Sequence, residues 1–162
     1  MDEKELKNAR FYALKVIDFR PRSVEELRGK LEAKGYPKEI NEQVIEEFGK
    51  KGLLNDAKFS KLWVESRMAS SPKAGSVLKR ELKEKGVSEE VISRVIEESR
   101  RGQNEYDTVK LLANKRMVHL KDLNTTTIKR RLFGFLKRRG FSTELVMKVI
   151  NEVISANGDE IT

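Results

Sequence analysis

The sequence predicts an all-α fold, an elongated tandem array of three three-helix-bundle repeats of about 50 residues each. Three observations predict it. The chain repeats itself when aligned on Gly35, Gly86 and Gly140, at spacings of 51 and 54 residues. Within each copy the apolar residues recur three or four apart, the spacing of one helix face. Finally, 7% aromatic residues and three prolines are too few for an all-β sandwich or barrel.

Eight positions align across the copies. Leu27, Leu78 and Leu132 precede the glycine by two helical turns, and Leu31, Leu82 and Leu136 by one. Tyr36, Val87 and Phe141 follow it directly. Ile40, Val91 and Leu145 come next, then Val44-Ile45, Val95-Ile96 and Val149-Ile150. Each glycine suits a helix C-cap, where a left-handed residue without Cβ is least strained. Lys34, Lys85 and Arg139 stand just before it, cations in a last helical turn.

The elements follow in order. In repeat 1 (residues 1–55, with an N-terminal extension), Phe11, Leu14 and Ile17 mark a first helix. Pro21 and Ser23, with Glu26 at the capping-box spacing, open a second. Pro37 opens a third, carrying Ile40, Val44, Ile45 and Phe48 on one stripe. Repeat 2 (56–105) repeats the plan with Phe59, Leu62 and Trp63, a Ser/Pro/Gly linker over 70–75, and Ser88 as the last N-cap. Repeat 3 (106–154) begins with Val109, Leu112 and Ala113, crosses a polar linker near Asn124, and uses Ser142 as its N-cap. Residues 155–162 are expected to form a C-terminal tail. Bundles this small lie near the lower limit for independent folding, so neighbours are expected to support one another.

Composition restricts the chemistry. There are no cysteines, which excludes disulfides, thiol catalysis and cysteine-ligated metals. His119 is the only histidine and has no carboxylate pair near it in sequence, so no usual metal site or Ser/His/Asp triad is expected. No phosphate-binding glycine loop or dinucleotide turn occurs. The chain is therefore read as a non-enzyme without cofactor or metal. No apolar run approaches membrane-spanning length, and the charged start leads into no secretory signal. A cytoplasmic monomer is the expectation.

The net charge of +8 is uneven. Residues 1–53 carry +1, residues 54–106 carry +2, and residues 107–162 carry +5. A basic pole points to an anionic partner. Its centre is the run from Lys129 to Arg139, with no acid between Asp122 and Glu144. On a helix, Ile128, Leu132, Phe135 and Leu136 form the apolar arc. Arg130, Arg131, Lys137 and Arg138 form the opposite one around Gly134. Elsewhere acids accompany the cations, so this arc is the leading candidate for binding a filament or nucleic acid. Arg20, Arg22 and Arg67, around the first two linkers, are the second. Trp63, on the Phe59 stripe, is read as core rather than as a stacking platform.

Several segments resemble the RecX family of regulatory proteins. They are Arg20-Pro21-Arg22-Ser23 with Glu26-Leu27, Leu31 and Lys34-Gly35-Tyr36; Gly52-Leu53-Leu54-Asn55-Asp56 with Phe59, Trp63 and Ser66-Arg67; and Arg138-Arg139-Gly140-Phe141-Ser142. They occur in the family's order across residues 9–154, with Asn55 where Asp is more usual. The resemblance implies a regulator of the RecA recombinase, usually a negative one, acting in homologous recombination, DNA repair and the SOS response. It implies binding to the RecA–DNA filament and inhibition of recombinase, ATPase and co-protease activities; the basic arc leaves open whether DNA phosphates within the filament or acidic RecA side chains are contacted. The alternative from the residues alone is a free-standing helical nucleic-acid-binding protein. The post-glycine helices of repeats 1 and 2 are too acidic for clear recognition helices.

Overall fold

A computed structural model describes residues 3–158. Among them are nine α-helices and no strand. In chain order these are α1 (Glu3–Phe19), α2 (Val24–Ala33), α3 (Lys38–Lys50), α4 (Asp56–Ser70), α5 (Gly75–Glu84), α6 (Glu89–Arg100), α7 (Glu105–Met117), α8 (Thr125–Lys137) and α9 (Thr143–Gly158). The three triplets α1–α3, α4–α6 and α7–α9 match the three repeats. Helix α9 runs on through residues 155–158 of the expected tail, and residues 159–162 lie outside the described part.

Each repeat ends its middle helix as the glycines require. Gly35, Gly86 and Gly140 have φ of 92°, 76° and 85°. Tyr36 N–H donates to the Leu31 carbonyl and Gly35 N–H to that of Glu32, and Val87 and Gly86 do the same toward Leu82 and Lys83. These paired bonds satisfy carbonyls that the helix itself leaves open. The starts are equally local. Ser23 Oγ accepts from Glu26 N–H while the Glu26 carboxylate accepts from Ser23 N–H, closing a capping box. Asn55, Asn104 and Asn124 cap α4, α7 and α8 with their side-chain oxygens. Ser88 and Ser142 cap α6 and α9.

The chain forms two compact units, Met1–Ser66 with Lys79–Glu98, and Arg67–Leu78 with Ser99–Thr162. In the first, α1 packs on α2 and α3 around Leu27, Leu31, Val44 and Phe48. In the second, α7, α8 and α9 enclose Val109, Leu132, Leu136, Val149 and Ile150, with Ala74 joining them. The aligned leucines before the glycines are at most 3% exposed in all three repeats.

Three apolar expectations need correction. Phe11 and Leu14 are 61% and 39% exposed, and the buried side of α1 is Leu6, Ala9 and Ala13. Alanines four apart allow a close approach of helix axes, and this approach decides which face turns inward. Leu62 is likewise exposed, because Phe59, Ser60 and Val64 take the inward face of α4. Val91 and Leu145 are only half-buried; their neighbours Ile92 and Val146 are fully buried, and in repeat 1 the same register holds Asn41.

Candidate anion-binding surface

The N-terminal end of one repeat's middle helix meets the C-terminal turn of the next repeat's. In the first unit this joint is polar. Ser23 Oγ, fully buried, donates to the Lys85 carbonyl at 2.6 Å. Lys85 Nζ pairs with Glu26 at 3.1 Å, and Arg20 pairs with the same carboxylate at 2.8 Å. Burial would push the Glu26 carboxyl up. Hydrogen bonds from Arg20, Lys85 and Ser23 N–H, with the Arg20 charge, instead hold it down at about 2. Asp56 accepts from Val24 N–H at 2.8 Å, and burial pushes its carboxyl up. A Cβ on Gly86 would lie 2.4 Å from that of Glu25, so this joint closes only around glycine.

The corresponding joint in the second unit has other chemistry. Ala74 stands in the register of Ser23, and its N–H donates to the Arg139 carbonyl at 2.9 Å. Val77 stands in the register of Glu26, and a Cβ on Gly140 would meet Val77 Cγ2 at 2.2 Å. Arg139 is the counterpart of Lys85, but the register position that supplies Lys85 with the Glu26 carboxylate holds Val77, so that acid is missing from this joint.

The Arg139 guanidinium lies over the Phe135 ring at 4.0 Å, and Arg116 from α7 reaches the same ring at 5.5 Å. Arg139 also donates to the Phe135 carbonyl at 3.5 Å, but its Nε–H is buried and finds no acceptor. Burial, then the charges of Arg138 and Arg116, lower its pKa, and no acid offsets them. Arg138 lies across Gly134; a Cβ there would stand 3.2 Å from its Nη1.

Of the residues singled out in the sequence, Arg130 and Arg131 are exposed on α8 and form no ion pair among the described residues. Arg138 is exposed just beyond them. Lys137 is half-buried, because its Nζ turns back to the Phe141 carbonyl at 2.9 Å. The structure therefore leaves Arg130 and Arg131 exposed on α8 and Arg138 exposed at its C-cap, with Lys137 committed to a helix terminus. Arg20 is held by Glu26 in the first unit. Arg22, half-buried there, has its Nε without an acceptor, and burial, then the charge of Arg20, lowers its pKa. Arg67 belongs to the second unit. Trp63 is half-buried, donating to Glu81 at 2.9 Å with Lys85 Nζ 5.1 Å from its ring, so core packing is only part of its role.

Sequence reasoning missed Arg116, and it placed Arg139 at the end of the basic run and as a capping cation without naming it among the binding residues. The signal was present in the alignment: Glu26, the acid in register with Lys85, becomes Val77 beside Arg139. No group of three or more His, Asp or Glu able to hold a metal occurs among the described residues. None of their helices is long and apolar enough to cross a membrane.

Comparison with known proteins separates this arrangement from a generic helical array. Residues 9–48, 55–96 and 103–150 match the first, second and third three-helix domains of RecX. The chain belongs to the RecX family. It is 35% identical over 160 residues to the regulatory protein RecX of Amycolatopsis mediterranei, covering 99% of this chain and 91% of that one. It is 32% identical over 153 residues to that of Thermobifida fusca, covering 94% and 82%. In fold it is similar to the crystal structure of RecX from Lactobacillus salivarius, at a TM-score of 0.74 and 19% identity, covering 93% of this chain and 97% of that one. The chain thus shares a family whose members are named regulatory proteins.

Proposed function

We propose that this RecX-family chain is a non-enzymatic regulator of the RecA recombinase that binds the RecA–DNA filament in the cytoplasm. It acts as a monomer and inhibits filament-dependent strand exchange, ATP hydrolysis and co-protease action. The observation that supports a filament contact is the acid-free stretch of α8 and its C-cap, where Arg130, Arg131 and Arg138 stand exposed and form no ion pair among the described residues. Uncompensated cations repel one another, and an anionic surface relieves that repulsion. The helices α3 and α6 carry mainly acids on their exposed sides, including Glu39, Glu46, Glu89, Glu90, Glu97 and Glu98. This counts against a free-standing helix-turn-helix reader.

The test is inhibition of RecA's DNA-dependent ATPase. Arg130→Glu with Arg131→Glu should fold normally, since neither side chain enters the core, and should lose most of the inhibition. Lys58→Glu with Lys61→Glu reverses as much charge on exposed positions of α4 and should lose little. Equal loss in the two variants would refute the placement of the contact.

A further inference from the structure

We infer that Arg116 and Arg139, which share the Phe135 ring, form with the neighbouring Arg138 a phosphate-binding fork for a nucleic-acid backbone. The inference rests on reading the basic end as a contact surface, but it names residues outside the exposed arc and a ligand chemistry for them.

Four features carry it. The fork stands at a joint whose counterpart is self-neutralised, since Lys85 pairs with Glu26 and Val77 occupies the register of that acid here. Its cations are all arginines, whose planar donors meet two oxygens of one phosphate at once. The Phe135 ring holds Arg139 at 4.0 Å and Arg116 at 5.5 Å, so part of the cost of ordering long side chains is met before a ligand arrives. The charges that bear on Arg139, those of Arg138 and Arg116, both repel it, a repulsion that a bound anion relieves.

A backbone phosphate fits better than a protein carboxylate because the cations do not stop at the fork. Lys129, Arg130 and Arg131 carry the positive charge back along α8, about 12 Å from Lys129 to the helix end at Lys137. Cations spread over that distance match a ligand with more than one charged group. Gly134 keeps the helix surface low beneath Arg138, whose Nη1 would stand 3.2 Å from a Cβ there.

The experiment measures binding of a fluorescent single-stranded oligothymidylate, without recombinase, at several salt concentrations. Arg139→Gln should weaken it about tenfold and reduce the log–log salt slope by about 0.7. Phe135→Leu keeps the net charge and should still weaken binding several-fold, which a purely electrostatic surface would not show. Val77→Glu installs the acid of the first joint and should weaken binding more than Val77→Gln, which controls for size. Lys121→Gln, an exposed cation outside the fork, should behave like wild type, and circular dichroism confirms folding throughout. Wild-type affinity in both Arg139→Gln and Phe135→Leu would overturn the inference. So would variants that lose affinity for polyglutamate while keeping it for the oligonucleotide. The same variants are assayed for inhibition of RecA. Lost oligonucleotide binding with intact inhibition would support the fork and refute the fork's share in regulation. Lost inhibition with intact oligonucleotide binding would overturn the fork as a phosphate site and point to RecA side chains.

Discussion

The two joints between successive middle helices share a backbone and differ in side chains. Both close around a left-handed glycine that a neighbouring side chain approaches too closely for any Cβ. In the first unit the helix-end cation is absorbed by Glu26, itself shared with Arg20. In the second the helix-end cation lies over the Phe135 ring, and the register of Glu26 holds Val77. The glycine and the leucine layer fix how the helices meet. The residue in the Glu26 register decides whether the cation is internal to the fold or remains available to a ligand.

The comparison can be broken first at its shared part. Leu31→Ala, Leu82→Ala and Leu136→Ala should each cost roughly 2–5 kcal/mol, since each empties a fully buried site. The three values, from denaturant unfolding, should be of similar size. A loss under about 0.5 kcal/mol at two of them would mean the layers are not equivalent.

A smaller effect sharpens the polar side of the comparison. The Glu26 carboxyl is held at about 2, below the ordinary glutamate value of about 4.3. A depressed carboxyl contributes stability that is fully present above the unfolded value. That stability drains away as pH falls from about 4.3 toward 2. Glu26→Gln should therefore cost about 1–3 kcal/mol at pH 7, and the gap to wild type should narrow in this acidic window. Asp56 has the opposite sign, because burial raises its carboxyl. Protonating it relieves strain that ionisation imposes, so Asp56→Asn should lose least, relative to wild type, at neutral pH. A gap at Glu26→Gln that stayed constant from pH 7 to pH 3 would remove the ion pair from the account.

The smallest expected effect lies in the bundles themselves. Asn41 is 1% exposed, where repeats 2 and 3 have Ile92 and Val146. Its Nδ2 donates to the Tyr36 carbonyl at 3.1 Å, but its Oδ1 has no donor. Asn41→Val should raise stability by about 0.5–1 kcal/mol, making repeat 1 resemble the other two. A destabilised variant would show that the Tyr36 bond outweighs the orphaned oxygen.

Much of the fold was legible because its signals are local. Glycine caps, the Ser23–Glu26 box and the leucine stripes depend on residues a turn or two apart, and all of them stand in the structure. The face of α1 was not legible, since Phe11 and Leu14 are more apolar than Ala9 and Ala13. Only the closeness of α2 and α3 favours the alanines. The exposed arc on α8 was readable as a run of charge. The setting of Arg139 was not, because a missing acid is defined by what a distant segment brings to it. Lys137 turned inward for a comparable reason: the open carbonyl of Phe141 lies within its reach.

The division of the chain has a consequence for its synthesis. The first unit takes residues 79–98 as well as the first 66, and the second takes residues 67–78 before its own helices. A ribosome adding about 5–20 residues per second delivers all of repeat 1 roughly 1.5–6 seconds before Lys85 and Gly86 follow to meet Ser23 and Glu25. During that interval the N-terminal bundle exists without the turn that closes its end. Fragments cut at residue 55, however natural the repeat boundary looks, would hold the nascent chain permanently at this stage.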